Sequence, residues 1–129
     1  MDVNTCLYFL GGNMKIRDVE VEFDFLDADD VEKFENEAKK VVEKCKNKNI
    51  EQMSHADALR EECNIIEDFF RGIFNNETVE KMFKGKKNLA DHIMAFEDIV
   101  NMKNEKQQDL QRVFDRYKPR EDYKYKGKR

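Results

Sequence analysis

Two histidines and several adjacent carboxylates are the residues of this 129-residue chain that could support metal or acid–base chemistry. His55 and His92 lie near the starts of two different predicted helices, each close to an aspartate. A zinc site needs at least three convergent ligands, and neither helix carries a second histidine at helical spacing. We therefore interpret both histidines as surface residues and expect no bound metal.

The acidic pairs on the predicted helices are the second candidate. A carboxylate-bridged metal centre in a helical bundle uses a Glu-x-x-His motif, which no helix here contains. We interpret all of these carboxylates as parts of solvated helix faces. The pairs are Glu61 with Glu62, Glu67 with Asp68, and Glu97 with Asp98.

The three cysteines, Cys6, Cys45 and Cys63, include no C-x-x-C pair, so they predict neither a disulfide framework nor a zinc ribbon. Cys63 lies on an apolar helix face with no neighbouring base or cation, which is typical of a buried, unreactive thiol. No glycine belongs to a phosphate-binding loop. The sequence therefore predicts no catalytic residue and no cofactor, and we interpret the protein as a non-enzyme.

Composition favours helices, since 40% of the residues are charged, 40% are apolar, and the chain has five glycines and one proline. No run approaches the roughly 20 apolar residues of a membrane span, and the first twelve residues lack the features of a secretory signal. We expect a soluble, cytoplasmic protein without a membrane partner.

The first predicted element is a strand, because apolar and acidic residues alternate strictly up to Phe25. Arg17 and Asp18 could turn this segment into a hairpin with Met14 to Ile16, although Asn-Gly or Asp-Gly would suit such a turn better. The alternative partners are a strand at residues 7–10 or another subunit.

Apolar residues at steps of three and four predict a bundle of three long helices and one short helix. The first helix is capped by Asp27 or Asp29, and the second, from about His55 to Phe74, is capped by Ser54. Asn76 caps a short helix that ends at Gly85. Asn88 caps the last helix, whose stripe comprises Leu89, Ile93, Phe96, Val100, Lys103, Gln107, Leu110, Phe114 and Tyr117.

We predict a mainly α domain over residues 14–117, with an N-terminal strand or hairpin, preceded by an extension at 1–13. Residues 118–129 form a basic tail that is expected to be disordered and flexible. The tail carries a net charge of +4 and the rest of the chain −8, out of the total of −4. An acidic body repels phosphate, which makes nucleic acid an unlikely partner.

The chain has more phenylalanines than a narrow contact between helices requires, and packing in the core explains most of them. The remainder could form an apolar surface for a partner helix. We also expect self-association, as a dimer, through the distal half of the last helix and the strand edge. The candidate partner-binding residues are Phe69, Phe70, Phe74, Phe96, Leu110, Phe114 and Tyr117.

Two segments, VEVEFDFLDADDVEKFENEAKK at 19–40 and NLADHIMAFEDIVNMKNEKQQDLQRVFDRYKPR at 88–120, resemble a family of short proteins encoded by phages and prophages of Gram-positive bacteria. The resemblance covers about residues 14–120, and the chain departs from it in residues 1–13 and in its Lys-Tyr-rich tail. Members are similar to tail assembly chaperones in size and helical character. No site residue is carried over from the family.

The resemblance implies a non-enzymatic protein of the bacterial host cytoplasm that binds phage tail components, above all the helical tape measure protein. The alternative is a phage-encoded acidic inhibitor of a host defence nuclease, which would act as a nucleic-acid mimic in the manner of an anti-CRISPR protein.

Overall fold

The computed structural model describes residues 13–47 and 49–117, with only the backbone of Asn13. The fold is mainly α, with three long helices, one short helix and an N-terminal hairpin, as the sequence predicts. Residues 1–12 and the basic tail at 118–129 lie outside the described residues. The elements are β1 (Asn13–Ile16), β2 (Val19–Glu22), α1 (Ala28–Asn47), a 3-10 turn (Ile50–Gln52), α2 (His55–Ile73), α3 (Asn76–Phe83) and α4 (Leu89–Arg116).

The hairpin is the predicted one, with β1 antiparallel to β2 and Ile16 opposite Val19. Arg17 and Asp18 form its two-residue turn with φ of 53° and 66°, the left-handed conformation that a tight hairpin requires. The backbone N–H of Arg17 donates to Asp98 Oδ2 on α4 at 3.2 Å. This contact with α4 helps hold a turn that lacks the preferred glycine.

The second strand is shorter than the alternation predicted, because β2 ends at Glu22. Phe23 and Phe25 continue the buried side of the pattern beyond the strand, with 3% and 7% of their surface exposed. The alternation therefore predicts burial correctly, although Phe23 and Phe25 lie outside the strand that pairs with β1.

Side-chain caps fix the starts of the helices. Asp27 and Ser54 cap α1 and α2 as predicted, and Asn88 caps α4. The predicted cap of the short helix is wrong by one residue, because Asn75 and not Asn76 accepts the N–H of Thr78, at 2.8 Å. Two adjacent asparagines are equally good caps by type, and the extended backbone of Asn75 decides between them.

The core lies around α2, which packs against each of the other three helices. Ring contacts 4.8–6.3 Å between centroids link the phenylalanines of the core into one network. Its members come from the segment after β2 and from all four helices: Phe23, Phe25, Phe34, Phe69, Phe70, Phe74, Phe83 and Phe96.

The buried face of α4 is offset from the predicted stripe by one residue. His92, Ala95 and Ile99 are fully buried, whereas Ile93 of the stripe is 44% exposed. One residue corresponds to a rotation of about 100° around the helix. Beyond Met102 no residue of α4 belongs to the core, so the distal part of this 28-residue helix extends past the packed domain.

Within residues 13–47 and 49–117, none of the helices combines the length and the apolar character that crossing a lipid bilayer demands.

Candidate functional site

A buried polar cluster links α2 to α4. Glu67 of α2 is 4% exposed and His92 of α4 is fully buried, and His92 Nε2 lies 2.7 Å from Glu67 Oε2. Lys87 Nζ donates to both carboxylate oxygens of Glu67, at 2.8 and 2.9 Å. Arg71, one turn further along α2, donates to Glu67 Oε1 at 3.1 Å. The single carboxylate is thus surrounded by three basic side chains.

His92 makes a close contact through each of its two ring nitrogens. Its Nδ1 lies 2.7 Å from the backbone carbonyl oxygen of Asn88, and its Nε2 faces the Glu67 carboxylate. Each ring nitrogen of His92 therefore lies within hydrogen-bond distance of an oxygen atom. The ring also stacks on Phe83, with centroids 3.8 Å apart. Both ring nitrogens and one ring face of His92 are therefore occupied by contacts within the protein.

Burial alone would raise the pKa of Glu67, but the hydrogen bonds and positive charges of Lys87 and His92 outweigh it and hold that pKa below the ordinary value. The carboxylate remains ionised and fully hydrogen-bonded. It is neither a proton donor near neutral pH nor an open metal ligand.

Burial raises the pKa of the Cys63 thiol, the nearby Glu67 carboxylate raises it further, and Lys87 opposes both effects. A protonated, buried thiol is a poor nucleophile, in agreement with the prediction for Cys63. Cys45, by contrast, is exposed. Within the described residues, no three His, Cys, Asp or Glu side chains are grouped so as to hold a metal ion.

The cluster corrects two predictions, since His92 is not a surface residue and Glu67 is not on a solvated face. Both are polar residues at positions that face the core, and they are tolerated there because each satisfies the other. The chemical role that the contacts allow is structural: the cluster fixes the first turns of α4 against α2. Those turns carry Leu89 and Ile93, which line an apolar groove on the surface of the domain.

An apolar groove of about 190 Å³ runs between α1, α2 and the first half of α4. It is smaller than the roughly 300–1,000 Å³ of pockets that enclose small molecules, and it suits a few side chains of a protein partner. Glu62 is its one acidic wall residue. The complete lining is Val41, Cys45, Glu62, Ile65, Ile66, Leu89, Ile93 and Phe96.

A second apolar surface lies on the distal part of α4, which we call the distal stripe. Phe114 and Tyr117 are 60% and 77% exposed, far more than large apolar side chains in a folded domain usually are. Leu110 and Val113 complete the distal stripe. These four large apolar side chains, grouped on one projecting helix, form a candidate contact surface.

The predicted partner-binding residues fall into two groups. Phe69 and Phe70 are buried in the core, and Phe74 is half-buried and packs on Phe70, so we do not retain these three in the contact surface. Phe96 lines the groove, while Leu110, Phe114 and Tyr117 belong to the distal stripe.

Sequence reasoning missed the contribution of α1 and α2 to the groove. The signal was available in Val41, Val42 and Cys45, which give α1 a wider apolar face than one seam requires. An apolar face wider than the contact it makes leaves part of the surface uncovered, and Val42 is indeed 53% exposed.

Comparison with curated proteins and with solved structures finds no match. A family model matches residues 17–129 of the chain, a range that includes the hairpin turn, the four described helices and the basic tail. Because this match covers most of the chain, the protein belongs to the family of unknown function DUF6673.

Proposed function

We propose that this protein is a non-enzymatic binding protein that holds an amphipathic helical segment of another protein, in the manner of a phage tail assembly chaperone. Its partner in this proposal is a helical tail component such as the tape measure protein, and its compartment is the cytoplasm of the bacterial host. The likeness to tail assembly chaperones comes from the sequence resemblance, and the surface that supports binding comes from the structure.

The exposed distal stripe is the observation that carries the proposal. Burial of apolar surface stabilises a complex by about 25 cal/mol per Å², and Phe114 and Tyr117 both present most of their side chains to solvent. Aromatic residues are the commonest anchors in protein interfaces. A helical partner with its own apolar stripe would cover these side chains.

The charge of the domain supports the same role. Residues 1–117 carry a net charge of −8, so a complex that hides its apolar surfaces would present an acidic, self-repelling exterior. Such an exterior keeps an aggregation-prone partner dispersed until assembly begins.

Co-expression with the tape measure protein encoded in the same genome tests this function. We expect the tape measure protein to be soluble and to co-purify with the wild-type chain, and to lose both properties with the variant L110E/F114E. The variant N101E/Q108E is the control, because it adds the same charge on exposed positions outside the distal stripe. A tape measure protein that is equally insoluble with and without this chain would refute the proposal.

The alternative function, an acidic inhibitor of a defence nuclease, has less support. A nucleic-acid mimic needs unpaired carboxylates on one face, whereas Asp57, Asp68 and Glu77 each form ion pairs with neighbouring basic residues. Salt-sensitive binding to a purified nuclease, in competition with its nucleic acid, would favour this alternative over the chaperone-like role.

A further inference from the structure

The groove and the distal stripe are two apolar surfaces that cannot meet within one molecule. Leu89, Ile93 and Phe96 of the groove lie on the same continuous helix as the distal stripe. Phe96 and Phe114 are 18 residues apart, which corresponds to about 27 Å along the helix axis. The distal stripe can reach a groove only in another copy of the chain.

The spacing of the predicted stripe on α4, from Leu89 to Tyr117, allows two copies of the chain to make the same contact with each other. Read forward from Leu89, the apolar positions step by 4, 3 and 4 residues to Val100. Read backward from Phe114, the stripe positions Leu110, Gln107 and Lys103 follow at the same steps of 4, 3 and 4 residues. Two antiparallel copies of α4 therefore align Leu89 with Phe114, Ile93 with Leu110, Phe96 with Gln107 and Val100 with Lys103.

We propose that two copies of this chain form an antiparallel dimer in which the distal stripe of each copy occupies the groove of the other. A two-fold axis generates both contacts at once, so the interface closes and does not extend into a fibre. The apolar layers lie at the two ends of the paired helices, and Lys103 and Gln107 lie in the middle. Polar residues in such central positions select one register.

Charge favours the same arrangement. Residues 13–100, which include the groove, carry a net charge of −8, so two such bodies repel each other. Residues 101–117 carry four basic and three acidic side chains, and the chain that follows them adds a further net +4. Contact through the distal stripe brings a neutral to basic segment to an acidic body, which is electrostatically preferable to contact between the bodies.

The dimer would cover both apolar surfaces in the free protein. If the proposed function is correct, a partner helix would cover the distal stripe in place of the groove of the second copy, and binding would convert dimer to monomer. That consequence depends on the proposed function, whereas the dimer itself does not.

Disulfide trapping tests the dimer and its register without any partner. In a C6S/C45S background, the variant I93C/L110C should form covalent dimers on mild oxidation, because these positions face each other across the interface. Within one copy the two cysteines are 17 residues apart, about 26 Å along the helix, and cannot bond. The control I93C/Q108C places the second cysteine away from the stripe and should remain monomeric on a non-reducing gel.

Sedimentation provides an independent measurement on chains with native cysteines. The wild-type chain should associate with increasing concentration, and L110E/F114E should weaken association about tenfold or more while keeping the circular dichroism of the wild type. N101E/Q108E should sediment like the wild type. Crosslinking of I93C alone, equal trapping of both cysteine pairs, or a wild-type monomer at about 100 µM would each overturn the proposal.

Discussion

Glu67 holds the centre of the domain together by accepting hydrogen bonds from residues of three segments. Arg71 belongs to α2, Lys87 to the loop before α4, and His92 to α4 itself. Removal of one partner from a buried ion pair is costly because the other partners keep their charge without compensation. The side chains of Arg71 and Lys87 are about one third exposed and can turn to water, which leaves His92 as the residue most affected.

We expect Glu67→Gln to lower the free energy of unfolding by about 2–3 kcal/mol, since the amide keeps the shape and loses the charge. Asp68→Asn is the matched control on the next residue. Its ion pairs with Lys44 and Arg71 are exposed and should contribute less than about 1 kcal/mol. Urea denaturation measures both values, and equal losses in the two variants would contradict this role of Glu67.

The pH dependence follows from the direction of the Glu67 shift. Because its pKa in the folded state lies below the ordinary value of about 4.3, the unfolded chain binds a proton more readily. The stabilisation is therefore present above that ordinary value and is lost as the pH falls through the folded pKa. We expect the difference in unfolding free energy between the wild type and Glu67→Gln to shrink below about pH 4. A difference that stays constant from about pH 3 to pH 6 would be inconsistent with an ionised Glu67.

His92 and Glu67 show what the sequence conveys about individual residues and what it does not. Cys63 was predicted to be buried and unreactive from its place on an apolar face, and the structure agrees. Glu67 shares that face, four residues after Cys63, yet residue type alone favours a solvated carboxylate. Its burial depends on His92 of another helix. The spacing of residues along one helix does not show which residues of another helix will lie against it.

At the scale of elements, the hairpin turn adopts a backbone conformation that its two residue types do not favour. Arg17 and Asp18 both have positive φ, which costs free energy for residues other than glycine. Arg17 has compensation, because its guanidinium contacts Asp91 at 3.2 Å and its backbone N–H contacts Asp98. Asp18 is therefore the better site at which to relieve the strain.

We expect Asp18→Gly to raise the free energy of unfolding by about 0.5–1 kcal/mol, because glycine adopts this φ without a steric penalty. Glu20→Gly, two residues later within β2, should lower it by a similar amount, since glycine weakens a strand interior. Thermal denaturation of the two variants gives the comparison. A loss of stability in Asp18→Gly would show that the aspartate contributes more than its conformation costs.

The helices were predictable because their signals are local. Ser54 and Asn88 each precede an amphipathic run and cap it through a side-chain oxygen, so the helix starts agree with the structure. The orientation of α4 was not predictable to the same accuracy. Its apolar stripe at Ile93 and its buried face at His92 differ by one residue. Stripe residues line the groove, whereas the paired polar residue His92 and the small residue Ala95 face the core.

At the scale of the whole molecule, α4 divides into a half that the domain supports and a half that it does not. The helix is about 42 Å long, whereas α1 and α2 span about 30 Å each. The buried residues of α4 are His92, Ala95 and Ile99, all in its first half. An isolated helical segment of about a dozen residues is marginally stable in water, so the distal half depends on whatever covers it.

Hydrogen exchange should reveal this division along one continuous helix. At low protein concentration, amides of residues 94–102 should exchange only on global unfolding, and amides of residues 108–116 should exchange through local fraying. Raising the concentration should slow exchange in the distal half alone, because the groove of a second copy would then cover Leu110 and Phe114. The variant L110E/F114E should lose this concentration dependence and keep the protection of the first half. Uniform protection along α4 at low concentration would mean that the distal half is stable without a partner, and the need for a covering surface would disappear.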